Sequence, residues 1–180
     1  MSMIGVSIAI PAPYGDELQR WRASFGDPLA DSIPTHVTLL PPTEVPDEDL
    51  DQVREHLGSV AKMTAPFTMT LRGTGTFRPV SPVVFVQVAG GIAECEQLEQ
   101  AIRGGPLHRE IAFYYHPHVT VAHHVDDSAM DRAFEDLASY HCTFEVQEFH
   151  LYEHGSDQIW RPVQAFSFDA GPAETAGLRR

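Results

Sequence analysis

Two stretches decide how this chain folds: Thr35-His36-Val37-Thr38-Leu39 and Pro117-His118-Val119-Thr120-Val121, which repeat His-Val-Thr-aliphatic 82 residues apart. β-Branched and aliphatic residues dominate both, so both read as strands. On a strand, side chains two residues apart share a face. His36 and Thr38 therefore point one way while Val37 and Leu39 point into a core, and His118 with Thr120 stands likewise against Val119 and Val121. Each copy offers one imidazole beside one hydroxyl.

Outward from the first copy, Ile4 to Ile10 is an apolar run ended by Pro11 and Pro13, and Leu18, Trp21 and Phe25 follow at helical spacing. The motif strand, Thr35 to Leu40, is expected to stop at Pro41-Pro42. Leu50, Val53, Leu57 and Val60 mark one face of a helix over Asp47 to Lys62. Phe67 to Phe77 reads as a strand whose end is loosened by Thr74-Gly75-Thr76, and Val83 to Val88 is expected to pair with it as a hairpin. The order then recurs. A helix over Ile92 to Ile102 closes at Gly104-Gly105-Pro106. A strand over His118 to His123 follows, and an acid-started helix runs from Asp127 to Tyr140. Cys142 to Glu153 and Ile159 to Asp169 make a last strand pair around Gly155. The pattern predicts an α+β fold, bilobal and duplicated, with two antiparallel sheets lining a central cleft and helices outside. Residues 1–169 are expected to form a single domain of two pseudo-symmetric lobes, and 170–180 a flexible C-terminal tail.

Composition narrows the partners. A net charge of −13 has the wrong sign for gripping a long polyanion through many phosphate contacts, so a nucleic acid partner is expected to be short or held locally. No apolar run is long enough to span a membrane, and Met1 to Ser7 lacks the basic residues that open a signal peptide. A cytoplasmic monomer without membrane contact is expected. Cys95 and Cys142 stand in no ligand-spaced pair, and no metal or cofactor is anticipated.

Two histidines on facing strands suit phosphoryl chemistry. One can take a proton from an attacking oxygen while the other, protonated, delivers one to the leaving oxygen. Threonine hydroxyls can hydrogen bond the non-bridging phosphate oxygens, where charge must be stabilised. His116, His118, His123 and His124 could also be read as a metal site, but no carboxylate or cysteine lies at ligand spacing within the strand, and the acid-base reading is preferred. Phe77, Arg78 and Tyr115 are candidates for stacking on a base or holding a phosphate, each at a strand end or just before a motif. His124 keeps the parity of His118 and could touch substrate.

Two H-x-T-x motifs with hydrophobic x positions, one in each half of a chain this long, resemble the two-histidine (2H) phosphoesterase superfamily. In particular the chain resembles the bacterial branch of 2′-5′ RNA ligases or RNA 2′,3′-cyclic phosphodiesterases. Leu71-Arg-Gly-Thr-Gly-Thr-Phe leading to Pro82-Val-Val-Phe-Val is similar to that branch as well. The resemblance implies acid-base catalysis by His36 and His118 and phosphate binding by Thr38 and Thr120. It implies a metal-independent hydrolase opening 2′,3′-cyclic phosphates on RNA ends or small nucleotides. Ligation to a 5′-hydroxyl is the enzymatic alternative, and a non-catalytic nucleotide-binding module is the other. After the second motif, Ala122-His123-His124 stands where the family pattern leads one to expect a basic side chain.

Overall fold

In the computed structural model, which describes residues 1–170, the first strand explains the two-sided design of the molecule. β1 (Ser2–Ala9) alternates Ile4, Val6 and Ile8, all fully buried, with Gly5, Ser7 and Ala9. The large side chains enter the core and the small ones floor the opposite face. α1 (Tyr14–Ser24) follows, then β2 (His36–Val45), a short 3-10 turn at Asp47–Asp49, α2 (Leu50–Lys62), β3 (Phe67–Thr76), β4 (Val83–Gly90) and α3 (Ile92–Ile102). A second 3-10 turn at Gly105–Leu107 leads through an irregular stretch to β5 (His118–His123), α4 (Asp127–Asp136), β6 (His141–Val146), β7 (Glu148–His154) and β8 (Trp160–Ser167).

The strands form two antiparallel four-stranded sheets, ordered β2-β1-β7-β8 and β5-β4-β3-β6. The expected α+β fold with two sheets is therefore the one observed, and each sheet carries one motif strand at its edge. The sheets are not the two halves of the sequence, however. The β3–β4 hairpin joins β5, not β2, and the first sheet is completed from the C-terminal end. The stretch read as one strand from Cys142 to Glu153 breaks at Gln147. On one side β6 pairs with β3, and on the other β7 pairs with β1 and β8, so the chain crosses here between sheets.

Two other boundaries differ for physical reasons. Pro41-Pro42 does not end β2: the strand continues to Val45, with Gly5 facing both prolines across a bulge between the Ile4–Thr43 and Val6–Leu40 pairs. β2 pairs only with β1, and a proline without an N–H is tolerated on such an edge. α4 stops at Asp136 instead of Tyr140, because residues 137–140 turn tightly and Tyr140 gives its carbonyl to the Gly73 N–H at 3.0 Å. Asp126 caps the start of this helix, its carboxylate accepting from the Ala129 N–H at 2.8 Å.

One continuous apolar core joins the two sheets. It runs from Ile4, Val37 and Leu151 through Leu57 to Met69, Val84, Val119 and Met130, all at most 1% exposed. Burying side chains of this size contributes about 1.5–3 kcal/mol each. α4 packs on β3, β4 and β5, α2 on β8, and α1 and α3 cross to the two motif strands, α1 to β5 and α3 to β2. Of the tail expected at 170–180, residues 171–180 lie outside the described residues.

Candidate active site

The aliphatics of both motifs anchor the core, Val37, Val119 and Val121 at 0% exposure and Leu39 at 2%. That burial fixes the parity, and it leaves His36, Thr38, His118 and Thr120 partly exposed on the other face. β2 and β5 adjoin, so the two imidazoles are close enough for the charge of His118 to act on His36. Their backbone partners are mirrored. The Nδ1 of His36 lies 2.5 Å from the Pro34 carbonyl oxygen, and the Nδ1 of His118 lies 2.7 Å from that of His116, in each case two residues upstream. A carbonyl can only accept, so Nδ1 carries a proton in both rings and Nε2 is left free to gain or lose one. Burial pushes the His36 imidazole down to about 4, with Arg22 and His118 adding to the effect and the Pro34 hydrogen bond opposing it. Burial also lowers His118, opposed by its bond to His116. Both rings thus give up their proton more readily than a free imidazole, His36 the more so.

Each imidazole is positioned by its own support. Around His118, the ring of Phe77 meets it edge-on at 4.9 Å and that of Phe85 tilts against it at 5.2 Å, while Phe77 and Phe85 touch at 4.6 Å. Phe85 can lie flat only because Gly75 is directly beneath it. A Cβ there would stand 2.6 Å from the Phe85 ring. The glycine expected to loosen the end of β3 is instead a seat for this aromatic. Around His36, buried Thr35 donates from its hydroxyl to the Gly15 carbonyl at 2.9 Å, and Gln19 donates to the carbonyls of Ala30 and Ile33, pinning the loop that enters β2. Arg22 and Asp27, both 5% exposed, form an ion pair at 2.8 Å. Asp27 also accepts from the backbone N–H of Leu29 and of His123, each at 2.9 Å, which ties the loop before one motif to the end of the strand carrying the other. Nothing in the sequence marked Gln19, Arg22 or Asp27, whose partners lie up to 96 residues away.

Two cavities meet at Thr38 and Leu40. A small one, about 40 Å³, is bounded by His36, Thr38, Ser7, Gly5, Tyr152 and Trp160, with Trp160 lying against the bare Cα of Gly5. A large one, about 630 Å³, is bounded by Thr38 and His118 together with Phe77, Tyr115, His116 and Arg109. Thr120 lines neither. Tyr115 crosses the large cavity to donate its hydroxyl to the Thr38 carbonyl at 2.7 Å, and burial pushes its phenol up, which keeps it a donor. Phe77 lines the cavity and braces His118. Arg78 does not line it: its guanidinium is taken by Asp131 at 2.9 Å and Asp127 at 3.9 Å on α4. His124 is exposed, stands at φ 58 in the left-handed region and stacks on His123 at 3.8 Å, away from the cavity. Among the described residues, no three His, Cys, Asp or Glu side chains are grouped closely enough to hold a metal ion. Among the described residues, no helix is long and apolar enough to cross a membrane.

Two antiparallel sheets, each with a His-x-Thr strand at its edge and the two edge strands adjoining, define a protein of the two-histidine phosphoesterase class. The family model of the 2′-5′ RNA ligase superfamily matches residues 10–158, and the chain belongs to that superfamily. A provisionally named phosphoesterase of Bacillus cytotoxicus is 28% identical over 147 residues, covering 81% of this chain and 85% of its own. The fold is similar to that of Escherichia coli LigT. The crystal structure complexed with 3′-AMP aligns with a TM-score of 0.70 at 20% identity, over 94% of this chain and 99% of that one. The complex with NADP+ aligns with a TM-score of 0.67 at 21% identity, over 94% and 98%.

Proposed function

We propose that this chain is a metal-independent cyclic phosphodiesterase that hydrolyses 2′,3′-cyclic phosphates of RNA ends or small nucleotides, with His36 and His118 as base and acid. The observation that carries the reading is the mirrored pair of Nδ1–carbonyl bonds, which leaves two Nε2 atoms free on strand faces that each also carry a threonine. His36, the more strongly depressed of the two, is the base: its Nε2 takes a proton from water as the water oxygen bonds to phosphorus. The bond from phosphorus to the ribose 3′-oxygen breaks, and protonated His118 supplies the proton to that oxygen, leaving a 2′-phosphate. Thr38 and Thr120 donate to the non-bridging oxygens. LigT has been crystallised with 3′-AMP and with NADP+, and nucleotide binding in the cleft is extended to this chain on that likeness. A 5′-hydroxyl in place of water makes the same steps a 2′-5′ ligation.

The test is incubation of the protein in chelator with the four nucleoside 2′,3′-cyclic monophosphates, and with a short RNA ending in a cyclic phosphate, with and without a 5′-hydroxyl acceptor RNA. His36→Ala and His118→Ala are each expected to lose about 10²–10⁴-fold in rate. Wild-type protein that turns over nothing, or either variant matching it, sinks the proposal. Joined product in preference to hydrolysis would reassign the reaction as ligation.

A further inference from the structure

The large cavity exceeds what one cyclic phosphate needs, and its far end has a chemistry of its own. Its rim is apolar and open to solvent: Val80 is 80% exposed, Phe113 78% and Tyr114 99%, a concentration of unpartnered apolar surface that marks a binding face. Three charged side chains line the same cavity. Glu99, 5% exposed, is neutralised by Arg103 at 2.6 Å, which leaves Arg109 as the uncompensated charge. No carboxylate among the described residues lies within ion-pair distance of Arg109, and its one polar side-chain contact there is the Thr43 hydroxyl at 3.4 Å. In a chain of net charge −13, a half-buried arginine left without an acidic partner inside the cleft is a receptor for an anion from elsewhere.

We propose that Arg109 binds a second phosphate of the substrate, one nucleoside or more away from the reacting one, and so favours cyclic phosphates that carry a 5′-phosphate or end an RNA over a nucleoside cyclic monophosphate with none. This rests on reading the cleft as a nucleotide phosphodiesterase site. The spacing fits: Thr38, at the motif, and Thr43, at Arg109, are five residues apart on one strand, at most roughly 16 Å at the rise of a β-strand. A nucleoside spans the interval with its base against Tyr115, Phe113 and Phe77, and a volume of about 630 Å³ is within the usual range for a ligand of that size. A 5′-terminal phosphate and the diester of an upstream nucleotide present the same anionic oxygens to the guanidinium.

Calorimetric titration of the full chain with 3′-AMP, adenosine 3′,5′-bisphosphate and the dinucleotide ApAp tests this without requiring turnover. The wild type should bind one or both of the longer ligands about tenfold tighter than 3′-AMP, the scale of a charge-assisted bond. Gain with the bisphosphate identifies a terminal phosphate, and gain with ApAp alone identifies the diester. Arg109→Gln should bring the ratio close to one, and Arg109→Lys should retain part of it. Equal affinity of the wild type for all three overturns the proposal. So does a variant that weakens all three alike, since Arg109 would then only hold its loop against Thr43. Absence of binding by all three would overturn the nucleotide reading of the cleft, and this proposal with it.

Discussion

Gly75→Ala is the substitution with the most direct consequence for the site. The added methyl would lie 2.6 Å from Cε2 and 2.7 Å from Cζ of Phe85, about 1 Å inside the optimal carbon–carbon separation. Phe85 is 4% exposed and held between Phe77 and His118, so it can yield only by pushing on both. Overpacking of this kind costs about 1–3 kcal/mol, and the narrower unfolded ensemble of alanine returns about 0.4–1 kcal/mol. The expected net loss is about 1–2 kcal/mol, or roughly 2–8 °C in Tm for a chain of this size. The clash is with ring atoms that leucine lacks. In a Phe85→Leu background, therefore, Gly75→Ala should cost less by about 1 kcal/mol, a coupling that urea denaturation of the four proteins in a double-mutant cycle can read. A displaced Phe85 also tips His118, so kcat/KM for a cyclic phosphate should fall about tenfold or more in the single variant. Equal cost of Gly75→Ala in both backgrounds would refute the reasoning, as would a single variant as stable as wild type.

The pH profile follows from the two imidazoles. Hydrolysis needs His36 neutral and His118 protonated, so kcat/KM should rise as pH passes about 4 and fall as pH passes the pKa of His118, which burial holds below the ordinary 6.5. An optimum at pH 7 or above would count against this assignment. Asp27→Ala removes the only carboxylate paired with buried Arg22 among the described residues and frees the N–H groups of Leu29 and His123. A loss of about 3–5 kcal/mol is expected in denaturant unfolding, and a loss under 1 kcal/mol would show that the junction does not hold the motif strands together.

The sequence by itself determined the motif strands and their parity, because alternation is a property of neighbouring residues: Val37 and Val119 inside require His36 and His118 outside. α3 and β5 have the bounds that their periodicity predicts, Ile92–Ile102 and His118–His123. The tertiary structure alone decided which strands share a sheet. The crossing at Gln147 and the passage of β2 through Pro41-Pro42 depend on partners, β1 and β3, that lie far away in sequence. It also sorted the candidates around the cleft. Arg78 is drawn off by Asp131 and Asp127, whereas Arg109 lines the cavity with no ion-pair partner among the described residues, a difference set by distances in space and not by position along the chain. Gly75 shows the same division most plainly. Its sequence context reads as a weak strand end, and only the ring of Phe85 lying over it, against His118, gives the missing side chain its purpose.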